Sequence, residues 1–253
     1  ALIYADSAED GVDEYFERLG QFVTDGLDRC GIVHCPGDVS ARSAAWRRSV
    51  TGWREEMTRV IHDPGRKACM LAAHYFDLRV VYGEADLFDP LRQEALRYAR
   101  TRPPFLAQMA ENALSIEPPL GFFRQLVLIQ NGDQADTLDV KRQGILPITG
   151  LARVYALQTG SSGLHTLDRL REAVRAGIIS RDDGANLCGA YEHLATLRAR
   201  HQVDQIKAGT QPDNFIPPKT LSPLERGHLK DAFGVIATMQ KNLRARLSGR
   251  GSL

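Results

Sequence analysis

Asp77 stands between apolar residues on both sides in Ala73-His74-Tyr75-Phe76-Asp77-Leu78-Arg79-Val80-Val81-Tyr82-Gly83. A carboxylate in such company needs a partner, because an unpaired charge taken out of water is costly. Two kinds of partner fit the residue types. Arg79 lies two residues along and shares a face with Asp77 if the chain is extended. A divalent cation would serve as well, since hard cations take carboxylate oxygens held on rigid elements. The stretch has the make-up of a strand, aromatic and β-branched, free of Pro and closed by Gly83. Its expected faces are Phe76, Leu78, Val80 and Tyr82 on one side, and Tyr75, Asp77, Arg79 and Val81 on the other.

A second unusual stretch covers residues 138–157. Lys141 and Arg142 come just ahead of Gly144 and Pro147, and a helix with Arg153 in it follows. Other chemistry is thinner. Cys30, Cys35, Cys69 and Cys188 are scattered with no C-x-x-C pair, which suits the free thiols of a reducing cytoplasm. His34-Cys35 has no second cluster at ligand spacing, so zinc is set aside.

The 253 residues suffice for one large domain or two modest ones. Hydrophobic content of 43% and charged content of 25% are ordinary for a soluble globular chain. With 32 basic against 31 acidic residues the net charge is +1, so neither nucleic acid nor an anionic membrane is called for as partner. No run approaches the roughly 18 apolar residues of a membrane span, and the start lacks a signal peptide. That start has no Met and opens on strand-like residues, so the chain reads as a fragment or as numbered from its first ordered residue.

The elements that must position these residues fall into two groups. Ser7 and Asp10 predict a helix start, and Val12, Tyr15, Phe16, Leu19, Phe22, Val23 and Leu27 form its stripe, with Gly31 as stop. Ile32-Val33-His34-Cys35 predicts a short strand and Pro36-Gly37-Asp38 a turn. Trp46, Val50, Trp53, Met57, Val60 and Ile61 mark a second helix, with both tryptophans as core anchors. A short helix over residues 66–73 leads into the Asp77 strand. Beyond Gly83 the stripes are helical throughout. They lie around Leu91 and Leu96, around Leu106 and Met109, from Thr166 to Gly177, and around Leu187 and Leu194. The last runs from Ser222-Pro223-Leu224-Glu225 through Leu229, Phe233, Ile236 and Leu243. The predicted class is α+β, mostly α: a small sheet with helices over residues 1–85, then a helical bundle over residues 86–253.

Several segments resemble a known pair of domains. Cys35-Pro36-Gly37-Asp38-Val39, Trp46, Trp53, Phe76-Asp77-Leu78-Arg79 and Val81-Tyr82-Gly83 are similar to the PII-uridylyltransferase-like nucleotidyltransferase domain of bacterial signalling proteins. Leu138-Asp139-Val140-Lys141-Arg142-Gln143-Gly144-Ile145-Leu146-Pro147 and Leu151-Ala152-Arg153-Val154-Tyr155-Ala156-Leu157 resemble the putative nucleotidyltransferase substrate-binding domain that follows it. So do Leu197-Arg198-Ala199-Arg200-His201-Gln202 and Leu221-Ser222-Pro223-Leu224-Glu225-Arg226. Proteins of this kind often carry cyclic-nucleotide-binding and CBS-type sensor domains.

The resemblance implies transfer of a nucleoside monophosphate from a nucleoside triphosphate to a protein or small acceptor, with Mg²⁺ or Mn²⁺ as cofactor. It implies Asp77 as a catalytic metal ligand, the third carboxylate beside a D-x-D pair. That pair and the Gly-Ser element before it have no counterpart here, so the 253 residues alone are expected to be inactive. Lys141, Arg142 and Arg153 are the expected nucleotide-binding residues, cations around a helix start that would hold triphosphate oxygens; solvated or ion-paired surface charges are the plainer reading. A nucleotide-sensing or regulatory scaffold without catalysis is the alternative function. A cytoplasmic location follows, and self-association stays open. Asp77 is expected to face a groove between the two parts, with Lys141 or Arg153 in reach.

Overall fold

The computed structural model describes residues 1–7 and 9–249. The fold is mostly helical, with two sheets of two short strands each among the described residues. β1 (Leu2–Tyr4) pairs in parallel with β2 (Arg47–Ser49), Ile3 opposite Arg48. Between them runs α1 (Val12–Arg29), which starts at Gly11 in the left-handed region (φ 81°) rather than at Ser7. Ser7 instead closes a local turn, its Oγ accepting from the Glu9 N–H at 3.1 Å. Gly31 takes φ 89° and ends the helix as its position suggested.

The predicted strand at residues 32–35 does not form. Ile32 and Val33 are exposed in a loop that pairs with no strand among the described residues, and a strand needs a ladder more than it needs propensity. α2 (Val50–His62) starts at Ser49, whose Oγ accepts from the Gly52 N–H at 3.2 Å. It buries Trp53, Met57, Val60 and Ile61. The tryptophans are core anchors: Trp46, Trp53 and Tyr75 pack with ring centroids 5.5–5.9 Å apart. Trp53 Nε1 also donates to the Leu2 carbonyl at 2.9 Å, which fastens β1 to α2.

The strand expected over residues 73–83 is replaced by the end of α3 (Arg66–Tyr75) and a turn. The reason is a helical period in the preceding residues. Cys69, Ala72, Ala73 and Phe76 are all buried, at spacings i, i+3, i+4 and i+7. That face carries the helix through the residues whose β-propensity suggested a strand. The turn is closed by the Asp77 N–H donating to the His74 carbonyl at 3.0 Å. Beyond Asp77 the chain runs on without strand pairing among the described residues, and the expected alternation survives in part: Leu78 and Val80 pack on the core while Arg79 and Val81 are exposed. Tyr82 breaks it and is exposed.

α4 (Asp89–Arg100) and α5 (Pro103–Ala113) follow, with Pro103 and Pro104 ending one helix and opening the next. β3 (Leu138–Asp139) pairs antiparallel with β4 (Phe215–Ile216). A π-helical turn, Lys141–Ile145, leads straight into α6 (Leu146–Thr159). Gly144 explains the tight packing of that turn: a Cβ there would sit 2.9 Å from Leu194 and 3.3 Å from Phe233. α7 (Thr166–Arg175) packs on α6, and α8 (Arg181–Lys207) packs on α9 (Pro223–Gly249). The expected capping box forms at α9: Glu225 N–H donates to Ser222 Oγ at 3.2 Å and Ser222 N–H to Glu225 Oε2 at 2.8 Å. Buried apolar side chains from Trp46 to Leu243 make one continuous cluster. No helix among the described residues is long and apolar enough to cross a membrane.

Candidate functional site

Asp77 stands where α3, α6 and α7 meet. The turn after α3 presents its carboxylate, and two arginines from the helical half close on it. Arg153, in α6, reaches Asp77 Oδ2 through Nη2 at 2.5 Å and Oδ1 through Nε at 3.4 Å. Arg169, in α7, donates from Nη1 to Asp77 Oδ1 at 2.7 Å. Its other nitrogens are equally engaged, Nη2 with the Phe76 carbonyl at 3.0 Å and Nε with the Gly163 carbonyl at 2.7 Å. Arg169 is buried, Arg153 mostly so, and the Asp77 side chain is 35% exposed, so one edge of the carboxylate still meets solvent.

A third arginine belongs to the same neighbourhood. Arg92, in α4, donates from Nη2 to the Ser162 carbonyl at 2.8 Å, while its Nε is buried without a hydrogen-bond partner. The segment from Ser161 to Gly163 therefore links Arg92 and Arg169. It is itself braced by the Ser161 hydroxyl bonding to Glu172 and accepting from the Gly163 N–H at 3.0 Å.

The charges act on one another. Burial alone would push the Asp77 carboxyl up, but hydrogen bonds and charge from Arg153 and Arg169 outweigh it and hold it below its ordinary value. Arg92 is pushed down, first by burial and then by repulsion from Arg169, with Asp89 and Asp77 pulling the other way. Two guanidiniums thus meet on Asp77 and a third, Arg92, holds the neighbouring segment, with Glu172 and Asp89 as further carboxylates of the neighbourhood. The guanidiniums offer fixed, partly dehydrated donors to an incoming anion such as a phosphate.

The same geometry bears on a divalent cation. Both Asp77 oxygens are taken by guanidinium donors, and among the described residues no group of three or more His, Cys, Asp or Glu gathers to hold a metal. The residues around Asp77 do not fit Mg²⁺ or Mn²⁺ as they stand, because cationic neighbours within 2.5–2.7 Å occupy the positions a cation would need. An arginine is the partner, as the plainer reading held, but it is not Arg79, which is exposed. Once the strand is absent, Asp77 is turned towards the helices instead.

Asp77 and Arg153 are therefore brought together, as expected. Lys141 and Arg142 are not brought to them. Both are exposed on the π-turn, where Asp139 Oδ1 already accepts from the Arg142 N–H at 2.8 Å and puts a carboxylate at the helix start. Lys141 precedes Arg153 by twelve residues along nearly continuous helix, a separation of roughly 18 Å at 1.5 Å per residue. The conspicuous residues 197–202 have a different task. Arg198 Nε donates to Asn214 Oδ1 at 2.6 Å, and His201 meets Asp213 at 2.9 Å. The Asn214 carbonyl accepts from the Val140 N–H at 3.1 Å, so this group ties α8 to the start of the π-turn.

Sequence reasoning missed Arg169 and Arg92. Arg169 left one signal: with Thr166, Leu170 and Ala173 it sits at spacings i, i+3, i+4 and i+7, so an arginine lies within an apolar stripe. Arg92 left none, since it follows Leu91 in an unremarkable amphipathic pattern.

Two family models match the chain. Residues 103–247 match the family described as "Putative nucleotidyltransferase substrate binding domain". Residues 1–67 match "Putative nucleotidyltransferase DUF294". No match was found among curated proteins or solved structures. Asp77 and Arg92 lie between the two matched segments, whereas Arg153 and Arg169 lie inside the substrate-binding one.

Proposed function

The chain belongs to the putative nucleotidyltransferase substrate binding domain family, with a nucleotidyltransferase match ahead of it, and from that premise we propose that it seats the phosphates of a nucleoside triphosphate on Arg92 and Arg153. The observation that carries this reading is the meeting of Arg153 and Arg169, from α6 and α7, on Asp77, with Arg92 from α4 bonded to the Ser162 carbonyl of the segment whose next carbonyl Arg169 holds. Arg169 has a protein acceptor on each of its three nitrogens and serves as the anchor. Asp77 holds the Arg153 guanidinium in place. Arg92 gives Nη2 to the Ser162 carbonyl, and its guanidinium carries five N–H donors in all.

The reaction served is transfer of a nucleoside monophosphate to a protein or small acceptor, with pyrophosphate as leaving group. Fixed guanidiniums would offset the charge that grows on the phosphoryl and pyrophosphate oxygens. Asp77, engaged as it is, holds no metal in this scheme. The described residues alone therefore bind nucleotide without transferring it.

Equilibrium dialysis of the chain against a labelled nucleoside triphosphate, at low and high salt, tests this. Saturable binding that weakens as salt rises is expected. No binding at low salt overturns the reading. Incubation with labelled triphosphate, Mg²⁺ and candidate acceptors should leave no label on any acceptor; turnover by these residues contradicts the role given to Asp77.

A further inference from the structure

α1 is amphipathic by sequence, yet Gly20 is the one buried residue among its 18. One side of its apolar stripe is covered. The Phe16 ring stacks on Tyr4 with centroids 4.1 Å apart, and Gly20 lies against the Ala41 carbonyl. The other side is Tyr15, Leu19, Phe22 and Val23, at spacings i, i+4, i+7 and i+8. Tyr15 is 56% exposed and Phe22 70%, and Val23 is exposed as well. A contiguous apolar row left in water marks an interaction face. The flank beside the row shows what fits it. Glu14, Arg18, Asp25 and Arg29 are all exposed, and at 3.6 residues per turn they fall within about 60° of one another. Their signs run negative, positive, negative, positive, at spacings of four, seven and four residues. Read from the other end, the same flank offers the opposite charge at every position. Asp25 meets Arg42 and His34 through Oδ1, and its Oδ2 has no donor among the described residues.

We propose that α1 is the face on which a second copy of this chain docks, helix against helix and antiparallel, about a two-fold axis near Gln21. Such an interface is isologous, so each contact occurs twice. Leu19 packs on the partner's Phe22 and Phe22 on the partner's Leu19. Like flanks meet in an antiparallel pair, so Arg18 comes to the partner's Asp25 and Glu14 to the partner's Arg29. Charge pairs beside an apolar seam set the choice of partner and its orientation, as at the flanks of a coiled coil. A contact made by one 18-residue helix falls below the ~800 Å² per partner of a standard interface, so the dimer is a weak one that needs high concentration.

Sedimentation velocity on the full chain, from low-micromolar to near-millimolar concentration, tests this. The wild type should pass from monomer to dimer across the range. Phe22→Asp should stay monomeric throughout and melt as the wild type does, because Phe22 lies mostly in water. Arg18→Asp and Asp25→Arg should each dimerise at least about tenfold more weakly alone, since like charges then face each other, and an equimolar mixture of the two should regain the dimer. A wild type that stays monomeric at every concentration overturns the proposal, and so does a dimer that Phe22→Asp leaves unchanged. Charge variants that stay apart when mixed overturn the antiparallel pairing.

Discussion

Arg169 reaches 92 residues back along the chain to donate to Asp77 at 2.7 Å, and the same guanidinium holds the Phe76 carbonyl at 3.0 Å. One buried side chain thus fixes both the carboxylate and the backbone of the turn that presents it. The end of α3 is thereby tied to α7 by charge as well as by packing.

Removing the carboxylate should expose what that tie contributes. Asp77→Asn leaves Arg153 and Arg169 without their counter-charge. Loss of a partner from a buried pair costs about 3–5 kcal/mol; with a third of Asp77 exposed, about 2 kcal/mol is expected here. Thermal melts should show a fall of several degrees. In a cycle with Arg169→Met the two losses should be clearly less than additive, and additive losses would mean the pair does not interact. The carboxyl is held below its unfolded value, so its contribution is complete above about pH 4 and is lost as pH falls through the folded value.

Glycines in α1 give opposite predictions from one helix. A Cβ on Gly20 would collide with the Ala41 carbonyl oxygen and come within 3.1 Å of Arg47 Cδ, and the Arg47 guanidinium pins that carbonyl at 2.9 Å. Gly20→Ala should cost about 1–2 kcal/mol despite its better helix propensity. Gly26 has open space around it, so Gly26→Ala should stabilise by up to about 1 kcal/mol. Hydrogen exchange of α1 in the two variants measures both effects, and equal protection would contradict the packing described.

Acid should loosen the α8–α9 pair. His193 in α8 faces His228 in α9 with perpendicular rings 5.7 Å apart, and its Nε2 is buried without a partner. Burial first, then His228 and Arg200, push the His193 pKa down, with Glu225 opposing. The neutral form is thus favoured by folding. That stability is present above about pH 6.5 and is lost as pH falls through the lowered folded value. Between pH 7 and pH 5 the wild type should lose more melting temperature than His193→Gln, and parallel losses would remove His193 from the acid response.

Helical parts of the fold were legible because their stripes and caps are local. The capping box at Ser222 and Glu225 and the Gly31 stop are each set by neighbours within a turn, and the tryptophan anchors could be picked by residue type and helical spacing. The two absent strands show the limit. Ile32-Val33-His34-Cys35 and the residues around Asp77 have strand propensity, but a ladder depends on chain from elsewhere. At Asp77 the buried face of Cys69, Ala72, Ala73 and Phe76 decided for helix. Asp77 and Arg153 could be singled out by residue type, whereas their meeting with Arg169 and Arg92 depends on how α4, α6 and α7 cross.

The phosphate seat is tested most directly by inorganic tripolyphosphate, which has no base and no reaction to perform. Its affinity would be measured by calorimetry at low salt for the wild type, Arg92→Gln and Lys141→Ala, with the melting temperature of each checked beforehand. Arg92→Gln should bind about tenfold more weakly, the loss of one charge-assisted contact, while Lys141→Ala binds as the wild type does. Full affinity in Arg92→Gln together with lost affinity in Lys141→Ala would contradict the site at Asp77 and move it to the π-turn.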